Sequence, residues 1–348
     1  MNSCPNPVHC ILPPHILDHM AQSLDPKIRR LAVDAIAAAS EARSARVTLS
    51  TMPTMSAIPS PAGRKHRLIY DMRNRPTIFL PGTLVRSEGE PRVGDVAVNE
   101  AYDYSGYTFD FYLKKLGRNS LDDNGMSLIS SVHVGTGFNN AFWNGEQMAY
   151  GDGDGQIFIR FTKALDVVGH ELTHGVVMHT CNLVYRDEPG ALNEHLADVM
   201  GSLVKQWRKR QTVSQADWLI GDAIMGPAVQ AKSLRTLKAE KAYENDPILG
   251  TDPQPKHMKD KYTGTADYGG VHINSGIPNH AFYLVATKLG GKAWKKAGLI
   301  WYKTMLNLNR NSNFREAADM TIQVAGAEYG SGSTEQQAVK AAWKAVGL

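Results

Sequence analysis

The sequence predicts an α+β fold, with a β-rich N-terminal lobe followed by an α-helical C-terminal lobe. Three observations carry this. Residues 64–160 alternate short apolar runs (His66–Tyr70, Thr77–Leu80, Ser127–Val134, Gln156–Phe161) with turn signals: Pro-Gly, Asp-Asp-Asn-Gly and Gly-Asp-Gly-Asp-Gly. From residue 163 onward the apolar spacing becomes helical: Ile277, Ala281, Leu284, Val285 and Leu289 recur at three and four, with Lys288 at the stripe's edge. Trp294–Leu306, Phe314–Tyr329 and Thr334–Val346 read as further helices. Finally, 348 residues with 43% hydrophobic content are enough for about two domains around a sizeable core. No period of 20–50 residues repeats.

Composition excludes several function classes. Lys plus Arg exceed Asp plus Glu by 38 − 34 = 4, and the only basic cluster is Arg208-Lys209-Arg210, so neither a nucleic-acid nor a membrane partner is expected. No apolar run approaches the roughly 18–20 residues of a membrane span. The start of the chain carries prolines and histidines where a signal peptide has its apolar core. The expected location is therefore cytoplasmic, or exported without an ordinary signal peptide, with secretion as the alternative. Three cysteines, Cys4, Cys10 and Cys181, do not make a disulfide framework.

Residues 1–60 differ from the rest. A Pro-rich start precedes a helical stretch over 15–39 with Ile16, Met20, Ile28, Leu31 and Ile36. Residues 50–61, rich in Ser, Thr and Pro and without charge, then read as an exposed linker. The Gly-Asp-Gly-Asp-Gly string lacks the spacing and terminal Glu of a calcium loop and reads as a turn.

The chemistry centres on His170-Glu171-Leu172-Thr173-His174. Helical residues four apart lie about 40° apart around the axis, so both imidazoles project from one face. Glu171 flanks that face, within reach of a water on a metal held there, which is what a zinc hydrolase requires. Twenty residues beyond His174, Glu194 and Asp198 stand four apart on a second helix. One carboxylate can complete a His₂Glu site, and the other can orient an imidazole. A third element, Asp267-Tyr268-Gly269-Gly270-Val271-His272, sets a histidine at a loop-to-helix junction. His195 points about 100° away from Glu194. It is read as structural or exposed, as are His9, His15, His19, His66, His133, His179, His257 and His280.

H-E-L-T-H, G-A-L-N-E-H-L-A-D, G-G-V-H-I-N-S-G-I-P-N and the upstream N-N-A-F-W-N-G resemble the thermolysin family of zinc metalloendopeptidases from about residue 80 to the C-terminus. The short N-terminal segment with Pro13-Pro14 and Ile16-Leu17 resembles the branch whose precursors carry a compact propeptide. The resemblance implies two lobes with the active-site cleft between them, divided here as a cleaved inhibitory propeptide over 1–55, a β-rich lobe over 56–178 and a helical lobe over 179–348. It implies one zinc ion on His170, His174 and Glu194, with Glu171 as general base and Asp198 and Asn193 holding the two imidazoles. Tyr185 and His272 match the groups that stabilise the oxyanion, and Asp267 matches the residue that orients His272. Asn140, Ala141 and Arg235 match the groups that hold the peptide chain. Phe158, Phe161, Val167, Ile220 and Leu234 match the apolar walls of the S1′ pocket.

The implied activity is a neutral endopeptidase that cuts before bulky apolar residues such as Leu or Phe. Its partners are a peptide substrate and its own propeptide, and a monomer is expected. Self-processing is expected between about residues 46 and 60, with the stretch from Cys4 to Pro14 as the inhibitory arm. A thiolate from Cys4 or Cys10 on zinc is the competing mode of restraint. The competing function is a weak or inactive homologue acting as a binding protein. The family's paired calcium site is expected to be absent, because Lys205 and Leu219 stand where two glutamates would, beside Asp166, Asp217 and Asp222. Single calcium binding elsewhere stays open.

Overall fold

The computed structural model describes residues 9–49 and 63–348, with side chains from Cys10 to Ala37 and from residue 63 on. Cys4, the side chain of His9, the linker over 50–61 and most of the expected cleavage window lie outside the described residues. A six-stranded sheet occupies the N-terminal half, in the order β1 (His9–Cys10), β5 (Ala141–Trp143), β6 (Met148–Tyr150), β4 (Leu128–Val132), β2 (Arg67–Asp71) and β3 (Thr83–Ser87). β2 and β4 run parallel, as do β4 and β6; the other pairs are antiparallel. A small second sheet pairs β7 (Leu219–Ile220) with β8 (Arg235–Thr236).

Helices make up the rest: α1 (Pro14–Ala21), α2 (Pro26–Leu49), α3 (Val96–Phe111), α4 (Leu165–Met178), α5 (Asp187–Arg208), α6 (Ala266–Asn274), α7 (Gly276–Leu289), α8 (Ala297–Met305), α9 (Phe314–Tyr329) and α10 (Thr334–Ala345). The β-rich half followed by a helical half is as expected. The single helix over 15–39 is instead two, because Ser23-Leu24-Asp25-Pro26 restarts the chain: Pro26 opens α2 and the Asp25 carboxylate accepts the Lys27 N–H. Two expected strands are absent. Thr77–Phe79 forms a 3₁₀ turn between Pro76 and Pro81. Gln156–Phe161 contributes only a single bridge, Phe158 to Met225, because Asp154 accepts the N–H groups of residues 156–158 and holds them in a turn. α3 was not anticipated. Its N-cap is Asp95, whose carboxylate accepts the N–H groups of Ala97 and Val98.

α4 and α5 are buried over most of their length and lie at the centre of the molecule. They approach backbone to backbone: a Cβ on Gly201 would sit 2.5 Å from the Asp166 carbonyl, and one on Gly169 would sit 3.1 Å from the Gly201 Cα. That close approach brings the side chains of the two helices into one cluster.

Candidate metal centre and cleft

α4 presents His170 and His174, and α5 presents Glu194; all three are buried. Their ligand atoms lie within 4.8 Å of one another. The two Nε2 atoms are 3.0 Å apart, and a Glu194 oxygen lies 3.5 Å from each. The outer nitrogens are already committed. His170 Nδ1 meets Asp198 at 2.9 Å, and His174 Nδ1 meets Asn193 at 2.9 Å. The Asp and Asn oxygens accept there, so each Nδ1 carries the proton and each Nε2 lone pair faces inward.

Burial lowers His170 to a pKa of about 4 and His174 to about 3, so both are neutral imidazoles at pH 7. Glu194 Oε2 and Glu171 Oε1 are buried without a hydrogen-bond partner. Two imidazole nitrogens and the Glu194 carboxylate form a three-donor set that fits a tetrahedral zinc ion with one open position, with Glu171 beside it. Asp198 is itself anchored. Burial opposes its charge, but Arg235 and His170 outweigh that and hold it well below the usual carboxylate range. Arg235 donates from Nε at 2.8 Å to Oδ2 and from Nη2 at 2.8 Å to Oδ1, and Asn279 donates at 2.9 Å to Oδ2.

Glu171 adjoins this centre from α4. Its Oε2 accepts the Trp143 N–H at 3.0 Å, which aims the carboxyl at the edge of the sheet. Burial, and then the charge of Glu194, push its pKa well above the ordinary value. A cation held by His170, His174 and Glu194 would favour the ionised form of Glu171.

Tyr185 and His272 stand on the far side. Tyr185 Oη donates a short hydrogen bond to Glu194 Oε1 and lies 3.2 Å from His272 Nε2. His272 Nδ1 donates to Asp267 at 2.6 Å. Burial opposes a charged His272, but Glu194 and Asp267 outweigh it and raise its pKa to about 9, so it is an imidazolium at neutral pH. The geometry depends on four consecutive left-handed residues, Asp267 to Gly270, that fold the Asp267 carboxylate back onto the N–H of His272 at 2.7 Å. Left-handed backbone costs roughly 1–2 kcal/mol at each of the two non-glycine positions. Gly269 and Gly270 avoid that cost, and a Cβ there would collide with Asp187 or Tyr262.

The N-terminal chain lies in the cleft. β1 pairs antiparallel with β5, His9 opposite Trp143 and Cys10 opposite Phe142. The Cys10 carbonyl accepts from His272 Nε2 at 3.0 Å. The Ile11 N–H donates to the Ala141 carbonyl at 3.1 Å, and the Ile11 carbonyl accepts from Arg235 Nη1 at 3.1 Å. The Leu12 N–H donates to Asn140 Oδ1 at 3.2 Å. α1 follows, with Ile16, Leu17 and Met20 buried.

The structure thus brings together His170, His174, Glu194, Glu171, Asp198, Asn193, Tyr185, His272, Asp267, Arg235, Asn140 and Ala141. The five apolar candidates are all buried. Ile220 and Leu234 flank Arg235 through the β7–β8 pair, the Phe158 and Phe161 rings lie 5.9 Å apart, and Val167 precedes His170 by one turn. His195 is structural as expected, bonded to Asn279 and Trp301. Three contributors went unnoticed in the sequence. The Trp143 N–H is a backbone group, which no residue type reveals. Asn279 falls inside the quoted I-P-N string. Gln254, which donates to the His272 carbonyl at 2.7 Å, sits in a loop with no motif around it.

Lys205 on α5 forms a separate cluster in which it and Asp166 are buried and Asp217 and Asp222 are half-buried. Its Nζ lies 2.7 Å from Asp222, 3.1 Å from Asp217 and 3.2 Å from Asp166. Burial opposes its charge, yet the three aspartates hold its pKa above the ordinary lysine value.

Residues 60–178 match the family described as "Thermolysin metallopeptidase, catalytic domain", and residues 181–348 match "Thermolysin metallopeptidase, alpha-helical domain". The chain is 49% identical over 290 residues to an extracellular metalloprotease of Pectobacterium carotovorum subsp. carotovorum, spanning 83% of this chain and 82% of that one. It is 41% identical over 290 residues to a thermolysin of Alicyclobacillus acidocaldarius, spanning 80% of this chain and 50% of that one. A solved structure, the precursor of protealysin from Serratia proteamaculans, superposes with a TM-score of 0.88 at 44% identity, covering 98% of this chain and 99% of that one.

Proposed function

This chain belongs to the thermolysin family of metallopeptidases, and from that premise we propose a zinc-dependent neutral endopeptidase, made as a precursor, that cuts before bulky apolar residues. The observation that carries the reading is the convergence of His170, His174 and Glu194 beside Glu171, against a cleft already filled by an extended peptide. A zinc ion on these three residues would supply Lewis-acid polarisation of the scissile carbonyl and a water of lowered pKa.

The residues do the rest. Asn140, Ala141 and Arg235 hold the substrate backbone, as they hold Leu12 and Ile11 here. Glu171, fixed by the Trp143 N–H, takes a proton from the attacking water and passes it to the leaving nitrogen. Tyr185 and the His272 imidazolium donate to the oxygen on which charge develops, and Asp267 keeps His272 charged and oriented. Phe158, Phe161, Val167, Ile220 and Leu234 would form the pocket for the apolar side chain after the cut. Glu171 and every ligand candidate are in place, so the site offers no support for a homologue that only binds.

In the same reading, residues 1–55 are a propeptide whose arm blocks the cleft, 56–178 and 179–348 are the two catalytic lobes, and self-processing falls between 46 and 60. The enzyme is a monomer without nucleic-acid or membrane partners; among the described residues no helix is long and apolar enough to cross a membrane. The relative named extracellular supports export over a cytoplasmic location. The Lys205 cluster takes the place of a paired calcium site. Steric blocking is the restraint favoured here, because the backbone of residues 10–12 occupies the cleft.

The test is peptide cleavage by processed protein before and after exhaustive chelation, with zinc added back. Activity lost on chelation and restored by zinc, with cuts before Leu or Phe, is the expected result. Full activity without metal would sink the proposal.

A further inference from the structure

The arm does more than fill space: the hydrogen bonds of His272, Ala141, Arg235 and Asn140 that would hold a substrate about its scissile bond are made by the backbone around one peptide bond, Cys10–Ile11. The carbonyl before it points at His272 Nε2, and the nitrogen after it donates to Ala141. The next carbonyl accepts from Arg235, and the next N–H donates to Asn140. The strand direction is fixed by the antiparallel pairing with β5, and Ile11, the residue whose side chain would enter the apolar pocket, is fully buried. The proline pair falls after these contacts. Leu12 keeps the N–H that a proline would lack, and Pro13-Pro14 leads directly into α1.

We propose that Cys10–Ile11 is a second self-cleavage site, and that cutting it leaves the precursor latent. The inference rests on the endopeptidase reading above. In the step, the oxygen of water bonds to the Cys10 carbonyl carbon and the Cys10–Ile11 C–N bond breaks. Glu171 carries a proton from that water to the Ile11 nitrogen, and the second water proton also ends there, leaving a Cys10 carboxylate and an Ile11 ammonium.

Latency follows from where the anchors lie. Before the bond, the described chain contributes the two-residue strand β1, the buried Cys10 and the contact of its carbonyl with His272. After it come the Arg235 and Asn140 contacts, the His15–Tyr243 hydrogen bond at 2.8 Å, and the buried Ile16, Leu17, Met20, Ala32 and Ala35. The new Ile11 terminus therefore remains seated, with α1 and α2 still attached through the linker. Opening the linker, not the arm, releases the cleft.

The experiment incubates full-length, zinc-loaded precursor and follows intact mass and N-terminal sequence, with hydrolysis of an external Leu-containing peptide measured in parallel. The expected result is a chain beginning at Ile11 that appears before linker cleavage and carries less than a tenth of the peptidase activity of fully processed enzyme. Glu171→Gln yields no such chain. Ile11→Pro, which removes the N–H donated to Ala141, blocks this cut while linker cleavage still delivers peptidase activity. If the external peptide is hydrolysed after processing but no Ile11 terminus ever forms, the second site is refuted and the endopeptidase reading stands. A chain beginning at Ile11 with full activity and an uncut linker refutes latency. Failure to hydrolyse the external peptide under any condition refutes both.

Discussion

The α4–α5 pair carries two charge clusters, and they solve the same problem in opposite ways. Midway along the pair, His170, His174 and Glu194 bring their ligand atoms within 4.8 Å of one another, and Glu194 Oε2 is buried without a hydrogen-bond partner. Toward the start of α4 and the end of α5, Asp166, Asp217 and Asp222 converge on Lys205, a cation supplied by the chain itself. A cluster of acceptors in a poorly solvated interior needs a positive charge. A lysine meets the need at the moment of folding but has no vacant coordination position for chemistry. A metal arrives from solution and keeps one position open for reaction. The first cluster is therefore suited to catalysis and the second to stability, although both draw on the α4–α5 pair.

The sharpest way to break the contrast is to act on the open cluster's base. Glu171→Gln should retain zinc, measured by metal content, while peptide hydrolysis falls by about four or more orders of magnitude. Zinc loss in this variant would mean that Glu171 is a ligand and not a base. Next in size is removal of the built-in cation. Lys205→Met leaves three aspartates facing one another, one of them fully buried, and should lower unfolding stability by about 3–5 kcal/mol in denaturant titration. The wild-type melting temperature should be indifferent to calcium or its chelation, whereas Lys205→Glu should make stability calcium-dependent. A calcium-dependent wild type would show that the lysine does not substitute for a metal.

A smaller effect is expected from His272→Phe, which removes a donor but no ligand. Zinc should stay and the rate should fall by about 10²–10³-fold, some 3–4 kcal/mol of transition-state stabilisation.

The smallest concerns a third charge cluster on the β-rich side. His133 lies between Asp152 at 2.8 Å and Asp95 at 2.9 Å, and these partners raise its pKa from 6.5 to about 9 against the effect of partial burial. A folded-state pKa above the unfolded one stabilises fully below about pH 6.5 and loses that contribution as pH rises through about 9. Discounted for solvent screening, the loss should be about 1–2 kcal/mol between pH 6 and 10, and His133→Gln should abolish it. Equal pH dependence in the variant would remove His133 from the account.

The candidate site was legible to different depths. His170, His174 and Glu171 lie within five residues on one helix, so helical periodicity alone aligns them. Glu194 and Asp198 follow the same rule on a second helix. Which carboxylate faces the histidines depends on how α5 rolls against α4, and the Gly201 contact decides that. Asp267 and His272 are five apart, a spacing that no regular helix brings together; the left-handed run through Gly270 does so. Trp143 and Gln254 act through contacts set by distant packing, which leaves no local mark.

The sequence by itself determined the fold class, the metal-binding residue types and the change from strand to helix near residue 163, because each is written in short-range periodicity and in side-chain chemistry. It also marked the first sixty residues as different, through their proline and charge content. Only the tertiary structure decided that 156–161 turns rather than pairs, since the Asp154 carboxylate competes with the sheet for those N–H groups. It alone decided that Lys205 meets three aspartates, and that the Cys10 carbonyl meets His272 while the Ile11 N–H meets Ala141. Register in a cleft is a long-range property: it is fixed by which edge strand, arginine and asparagine the arm encounters, and those partners are separated from it by more than a hundred residues of chain.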